Sequence, residues 1–184
     1  MGKDADENEP TGEASIGFPP IARGDARILI LGSLPSQRSL EMSEYYAHPR
    51  NAFWRIMGEL VGAEGEYSAR CKALMDAGIA VWDVLHSSVR PGSLDADIRM
   101  ETARPNDFAG FFERHPDVRR VGLNGRKAED IFRRLVLPEL DDSPQELVSL
   151  PSTSPAHAAM SFANKLEIWR SMLAGEITMT GEKE

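Results

Sequence analysis

Short apolar segments alternate with amphipathic segments along most of the chain. Residues 27–32 form an apolar run that ends at a glycine, which predicts a buried strand. Residues 50–61 place apolar side chains at helical spacing, which predicts an amphipathic helix. Extended over the chain, the same reasoning predicts strands at 27–32, 79–84, 118–123 and 146–150, and helices at 50–61, 66–77, 106–114, 126–137 and 161–173.

This alternation of strands and helices predicts an α/β fold. We expect a three-layer α/β/α arrangement around a central, mostly parallel four-stranded sheet. Ligands of such sheets bind outside the carboxyl ends of the strands. The segments to search for a functional site are therefore those that follow the strands, namely 33–51, 83–90, 124–125 and 151–157.

Composition divides the chain into one domain and two tails. Residues 1–20 are rich in Asp, Glu, Gly and Pro and are predicted to be a disordered acidic tail, 175–184 a second tail, and 21–174 a single domain. The tails carry −4 and −2 of the net charge of −8, so the domain itself is nearly neutral. A local basic surface for nucleic acid therefore remains compatible with the acidic total.

Several classes of protein are disfavoured by what the sequence lacks. No apolar run approaches the length of a membrane span, and the acidic N-terminus does not resemble a signal peptide, so we expect a cytoplasmic protein without membrane contact. Cys71 is the only cysteine, which excludes an intramolecular disulfide, a four-cysteine zinc site and an iron–sulfur cluster. The four histidines show no metal-ligand spacing. We therefore expect no metal and no cofactor, and nothing demands more than a monomer.

The loop after the first predicted strand reads Gly-Ser-Leu-Pro-Ser over residues 32–36. Small residues let the backbone approach a ligand closely. The loop matches neither a phosphate-binding Gly-Lys-Ser/Thr motif nor a dinucleotide-binding Gly-x-Gly-x-x-Gly motif. On residue types alone, a simple connection between strand and helix is the favoured interpretation.

Four further positions carry candidate chemistry. Tyr45 and Tyr46 lie in the same loop, where an aromatic ring can stack on a planar base, although both can also merely pack the loop. Asn51 is near the start of the predicted helix, where its amide can hold a water or cap the helix. Asp83 ends the second strand and can accept a hydrogen bond from a ligand or cap the following turn.

The segment after the fourth predicted strand is Leu-Pro-Ser-Thr-Ser-Pro, followed by His157. Its hydroxyls, held between two prolines, suit a loop that presses against a nucleic-acid backbone. A Ser–His hydrolase with Ser154 as nucleophile is the competing interpretation, but the sequence lacks Gly-x-Ser-x-Gly and an obvious third member.

These two segments resemble the motifs of one family. Gly-x-x-Pro-Ser followed by Tyr-Tyr-x-His-Pro-Arg-Asn-x-Phe-Trp is similar to the first motif region of the hypoxanthine-DNA glycosylases, within the uracil-DNA glycosylase superfamily, and 150–156 resembles the superfamily's second motif. Mismatch-specific uracil glycosylases carry a catalytic Asn before the first-motif Pro. Leu34 occupies that position here, and the hypoxanthine branch relies on a later Asn, which matches Asn51.

The resemblance implies a monofunctional DNA glycosylase that flips a deaminated base, most simply hypoxanthine, out of DNA and hydrolyses its N-glycosidic bond. It implies that Asn51 positions the attacking water. The implied base-binding residues are Ser33, Leu34, Tyr46 and Asp83, and the implied DNA-binding residues are Ser36, Ser152, Thr153, Ser154 and His157.

Three other functions stay open at this point. A uracil glycosylase for G·U pairs would use the same motifs. A catalytically silent module that binds a nucleotide or modified nucleic acid would share the fold, as would an enzyme for small molecules. If the glycosylase hypothesis is right, Tyr46, Asn51, Asp83 and Ser152 should converge on one pocket at the carboxyl ends of the strands.

Overall fold

The computed structural model of the protein describes residues 12–141 and 146–177. A four-stranded parallel sheet forms its centre, with strand order β3-β2-β6-β7. These strands are β2 (Ile28–Gly32), β3 (Ile79–Asp83), β6 (Arg120–Asn124) and β7 (Glu146–Leu150). The predicted α/β fold with a central parallel sheet is confirmed, and each predicted strand lies within two residues of its observed bounds.

Strands β2 and β3 are mostly apolar because both faces of the sheet are covered. Every residue of β2 and β3 is buried, as expected for parallel strands packed between layers of helices. The helices of this domain are α1 (Gln37–Met42), α2 (Phe53–Val61), α3 (Tyr67–Asp76), α4 (Phe108–Arg114), α5 (Arg126–Ile131) and α6 (Phe162–Leu173). None of the helices in the described part of the chain is long and apolar enough to span a membrane.

Helix α2 follows the predicted amphipathic pattern but begins later than predicted. It buries Phe53, Ile56, Met57 and Leu60, one face of the helix. The predicted start at residue 50 is wrong because residues 48–51 form a turn, in which the Asn51 N–H donates to the His48 carbonyl at 2.8 Å. The predicted helix 126–137 is also interrupted. It is α-helical to Ile131 and continues as a π-helical turn at Phe132–Val136.

A second sheet does not appear in the sequence-based prediction. Strands β1 (Ala14–Ile16), β4 (Leu85–Val89) and β5 (Arg104–Pro105) form an antiparallel sheet of order β1-β4-β5. Strand β4 was not predicted because its sequence, Leu-His-Ser-Ser-Val, does not alternate regularly between apolar and polar residues. It follows β3 after a single residue and brings the segment after residue 89 over the edge of the central sheet.

The predicted domain boundaries need correction at both ends. Ala14–Ile16 pair with β4, so the predicted acidic tail of 1–20 is too long by at least these residues. At the other end Ile177 is buried in the core, although 175–184 was assigned to a tail. Of the two predicted tails, residues 1–11 and 178–184 lie outside the described residues.

Candidate active site

One cavity lies at the carboxyl edge of the central sheet. It has a volume of about 320 Å³, at the small end of the range for ligand pockets. We call it the main cavity. Its wall includes residues from the end of each parallel strand or the loop that follows: Gly32 of β2, Asp83 of β3, Asn124 of β6 and Ser152 after β7. Chain order reverses around β2, where an α/β sheet opens a crevice for ligand.

The four residues expected to converge do so. Tyr46, Asn51, Asp83 and Ser152 all line the main cavity. Asp83 is the last residue of β3, Ser152 follows β7, and the other two come from the long loop between β2 and α2. The topology therefore brings together positions that lie up to about a hundred residues apart, counting from Tyr46 to Ser152.

Asp83 is a buried carboxyl group in the cavity wall. Asp83 is only 3% exposed, and its Oδ2 atom has no hydrogen-bond partner within the described residues. The pKa of Asp83 is raised to about 7, mainly by burial and also by the negative charge of Asp95, while the nearby Arg90 opposes the increase. A buried oxygen without a partner is costly in the empty site, so it favours a ligand that hydrogen-bonds to it.

The alternative interpretation of Asp83 as a turn cap finds no support. Within the described residues, its side chain makes no hydrogen bond to Ser87 or to the backbone that follows. The adjoining turn is held instead by Asn106, whose Nδ2 donates to the Asp83 carbonyl at 2.8 Å. The next helix was predicted to begin at residue 106. It begins at Phe108 instead, and Asp107 caps it by accepting from the Gly110 N–H.

Gly32 makes room for the carboxyl group beside it. It is paired with Asp83 in the parallel register of β2 and β3. A Cβ atom at position 32 would overlap Asp83 Oδ1 and approach the Tyr46 hydroxyl to 3.1 Å. Position 32, at the end of β2, therefore requires a glycine because two side chains of the cavity wall occupy the space that a Cβ atom would need. The backbone conformation is not the reason.

Tyr46 forms a flat aromatic wall of the cavity. Its backbone adopts φ 55°, a left-handed conformation that is uncommon for a bulky residue. The ring stacks on Phe53 with centroids 4.0 Å apart and planes inclined by 24°, and its hydroxyl accepts from Asn124 Nδ2 at 3.2 Å. Burial raises the pKa of Tyr46, which keeps the hydroxyl neutral. One ring face is thus held by Phe53, and the half-buried ring also lines the cavity.

Tyr45 has the packing role that was the alternative for both tyrosines. It is buried, and its hydroxyl donates to the Pro19 carbonyl at 3.1 Å. Its ring meets Phe18 edge to face. Tyr45 also lines the main cavity, but because its hydroxyl and ring are engaged with the segment before β2, it anchors the loop.

Asn51 combines both roles that the sequence left open. It lines the main cavity, and its Oδ1 accepts from the Phe53 N–H at 3.0 Å, which caps the start of α2. The next residue, Ala52, donates its N–H to the Thr153 carbonyl at 2.9 Å. These two bonds fix the amide relative to the helix and to the second-motif loop. A carbonyl oxygen has two lone pairs, so Oδ1 retains capacity to accept from a water.

The first-motif residues Ser33, Leu34 and Ser36 line the cavity but are already engaged. The Ser33 hydroxyl donates to Asp95, and the Ser36 side chain accepts from the Ser39 N–H at 3.2 Å as the N-cap of α1. The Leu34 side chain is buried. The predicted DNA-binding hydroxyl of Ser36 is therefore a helix cap in the absence of ligand.

The second-motif residues divide into exposed and buried ones. Ser152 and Ser154 are half-buried and line the main cavity, whereas His157 is exposed and lines the two neighbouring cavities instead. Thr153 is only 1% exposed, and its hydroxyl accepts from Asn124 Nδ2 at 2.9 Å. The prediction that Thr153 contacts DNA is wrong for its side chain, because that side chain is buried in the scaffold.

Three residues of the site were not identified from the sequence. Asn124 is buried and cross-links the loops: its Oδ1 accepts from the Thr153 N–H at 3.0 Å, and its Nδ2 donates to Thr153 and Tyr46. Arg90 is buried beneath the first-motif loop and donates to the carbonyls of Leu34 and Pro35.

The third of these residues, Asp95, lies in the loop between β4 and β5 and accepts from Ser33. Arg90 and Asn124 each lie in a segment that was marked for searching, so position gave a signal for both. Nothing in the residue pattern identifies Asp95, because its partner Ser33 is distant in the sequence. No three His, Cys, Asp or Glu side chains within residues 12–141 and 146–177 come together as metal ligands.

Comparison with known proteins assigns the fold and the site to a family. The family model of the uracil DNA glycosylase superfamily matches residues 19–173. This chain belongs to that superfamily. The match includes both motif loops and all four parallel strands, so the predicted family is confirmed.

Named relatives agree with this assignment. A hypoxanthine DNA glycosylase of Methanosarcina acetivorans is 36% identical over 159 residues, which cover 85% of this chain and 96% of the relative. A protein of the same name from Methanosarcina barkeri is 37% identical over 125 residues, 65% of this chain and 78% of the relative. The solution NMR structure of a Methanosarcina acetivorans protein, provisionally described as a uracil DNA glycosylase, superimposes with a TM-score of 0.71 at 34% identity and covers 87% of this chain and 99% of its own.

Proposed function

We propose that this protein is a monofunctional DNA glycosylase that removes hypoxanthine from DNA containing deoxyinosine. The observation that carries the proposal is the buried carboxyl of Asp83, whose Oδ2 lacks a partner at the wall of a small cavity faced by the Tyr46 ring. Hypoxanthine is a planar base that offers an N1–H donor. The names of the two Methanosarcina relatives support the same substrate.

The reaction needs only groups that line the main cavity. The bond between C1′ and N9 breaks, and its electron pair leaves with the base. A water oxygen bonds to C1′, so the products are free hypoxanthine and an abasic sugar with a hydroxyl at C1′. The enzyme must hold the base outside the helix, stabilise its developing negative charge and place the water. No step requires a cofactor.

Each role has a proposed residue. Tyr46 stacks on the flipped base, and Asp83 accepts a hydrogen bond from its N1–H. Asn51 holds the attacking water with the free capacity of its amide. Leu34 cannot orient a water, which moves this role away from the position used by mismatch-specific uracil glycosylases. Ser152 and Ser154 lie beside the cavity, where they can contact the phosphates next to the flipped nucleotide.

A panel of lesions tests the proposal. Duplexes that contain one deoxyinosine, deoxyuridine or deoxyxanthosine are incubated with the protein, and the released base is identified by chromatography. We expect release of hypoxanthine, with strand cleavage only after alkali, because a monofunctional enzyme leaves the sugar intact. Release of uracil alone would assign the protein to the G·U branch. Saturable binding without release of any base would contradict the glycosylase proposal.

A further inference from the structure

A second cavity adjoins the main cavity. Its volume is about 340 Å³, and the two cavities share Asn51, Thr153 and Ser154 in their walls. The remainder of its wall comes from the start of α2 and the start of α6, including Arg50, Arg55, His157 and Lys165. We call this second cavity the basic groove.

The basic groove concentrates positive charge that is not neutralised. Arg50, Arg55 and Lys165 line it, and no Asp or Glu among the described residues does. Neither Arg50 nor Arg55 forms an ion pair within residues 12–141 and 146–177, although other arginines do. Arg120, for example, pairs with Glu146 and Glu176. In a chain of net charge −8, such a groove is a place where an anion is attracted.

Two of the cations are held in place before any ligand arrives. The Arg55 guanidinium lies 3.6 Å from the centroid of the Phe162 ring, a cation–π contact that fixes its position. Lys165 is only 6% exposed, and its Nζ donates to the His157 carbonyl at 2.8 Å. An ammonium group has three donors, so two remain for a ligand. Fixing these side chains in advance reduces the entropy that an anionic ligand must overcome.

If the proposed function holds, the wall that the two cavities share indicates which ligand the basic groove binds. Asn51 must stand beside C1′ of the flipped nucleotide to place the water there. The phosphates attached to that same sugar therefore lie close to Asn51, and the basic groove begins at Asn51. We infer that the basic groove binds the phosphate backbone of the damaged strand next to the flipped nucleotide, through Arg50, Arg55 and Lys165.

The salt dependence of binding tests this inference, and it does not require base release. The probe is a short duplex with a tetrahydrofuran abasic site, and affinity is measured by fluorescence anisotropy between about 50 and 200 mM salt. Arg55→Gln and Arg50→Gln should each weaken binding about two- to tenfold and reduce the salt slope by about 1. Arg55→Lys, which keeps the charge, should retain the wild-type slope.

Arg119→Gln provides the matched control. Arg119 is also exposed, but it directly precedes β6 and thus lies at the amino edge of the sheet, opposite the cavity. It should keep the wild-type affinity and slope. The inference is overturned if Arg50→Gln and Arg55→Gln keep the wild-type salt slope. It is also overturned if Arg119→Gln weakens binding as much as those two variants do.

Truncated probes separate this groove from general attraction to DNA. In one probe the damaged strand stops on the 5′ side of the abasic site, and in the other it stops on the 3′ side. The difference between wild type and Arg55→Gln should vanish on one of the two probes and persist on the other. Persistence on both probes would contradict a contact with the adjacent backbone. Failure of the lesion panel with a normal result here would reject the proposed reaction and leave the groove as a DNA-binding site.

Discussion

The buried carboxyl of Asp83 makes the stability of the protein depend on pH in an unusual direction. Its ordinary pKa is 3.8, and burial raises the pKa in the folded protein to about 7. Between these values the folded state holds a proton that the unfolded state has lost. The contribution of this carboxyl to the free energy of unfolding is therefore fully present below about pH 3.8, and it is lost as the pH rises to about 7.

The size of the effect follows from the same two values. At about 1.4 kcal/mol for each pKa unit, the difference between 3.8 and about 7 corresponds to about 4 kcal/mol in the free energy of unfolding. Asp83→Asn removes the titration while keeping the shape. A buried amide with an unsatisfied atom costs about 1 to 3 kcal/mol on its own, but that cost does not vary with pH.

Urea denaturation of both proteins from about pH 5 to about pH 8.5 measures the effect. The free energy of unfolding of Asp83→Asn minus that of wild type should rise with pH and level off above about pH 7. Asp95→Asn supplies a control, because the negative charge of Asp95 raises the pKa of Asp83 and its removal should move the plateau to lower pH. A difference in the free energy of unfolding that does not change with pH over this range would contradict a raised pKa of Asp83 in the folded protein.

Three other residues give sharper or simpler tests. Tyr46→Phe keeps the ring stacked on Phe53 and should bind a flipped base normally, whereas Tyr46→Ala should raise the KM for base release about tenfold or more, as loss of base stacking costs about 1 to 3 kcal/mol. Gly32→Ala should abolish base release in a protein that still folds, because the new Cβ overlaps Asp83 Oδ1; activity close to wild type would show that the carboxyl is free to move. Asn124→Ala leaves the Thr153 N–H without its partner and should cost about 2 to 3 kcal/mol, seen as a fall in Tm of about 5 to 10 °C, and an unchanged Tm would mean that the loops are held elsewhere.

The sequence predicted the central sheet because that sheet obeys one rule. Parallel strands buried on both faces are almost entirely apolar, and β2 and β3 fit this pattern apart from Asp83 at the end of β3. The antiparallel sheet follows no such rule. Its middle strand β4 contains a half-exposed Ser87 and a fully exposed His86, and β5 has only two residues. Short strands of this kind are fixed by their partners rather than by their own pattern.

The site was predictable where a single residue lies in a motif, and unpredictable where the role depends on a distant partner. Asp83 and Asn51 were found because each lies at the end of a predicted element. Thr153 was misassigned because its sequence shows a hydroxyl, while its buried contact with Asn124 depends on how β6 and β7 pair. Arg90 likewise binds the Leu34 carbonyl from 56 residues away, a relationship that only the folded chain reveals.

In the proposed reaction, Asn51 in this cavity places the water that releases hypoxanthine. The most direct measurement is single-turnover release of hypoxanthine from a duplex containing one deoxyinosine, with wild type and Asn51→Ala at saturating enzyme. We predict release by the wild type and a rate at least about 10²-fold lower in Asn51→Ala, because a displaced water loses its alignment with C1′. Equal rates in the two proteins would contradict the role of Asn51, and no release by the wild type would contradict the function itself.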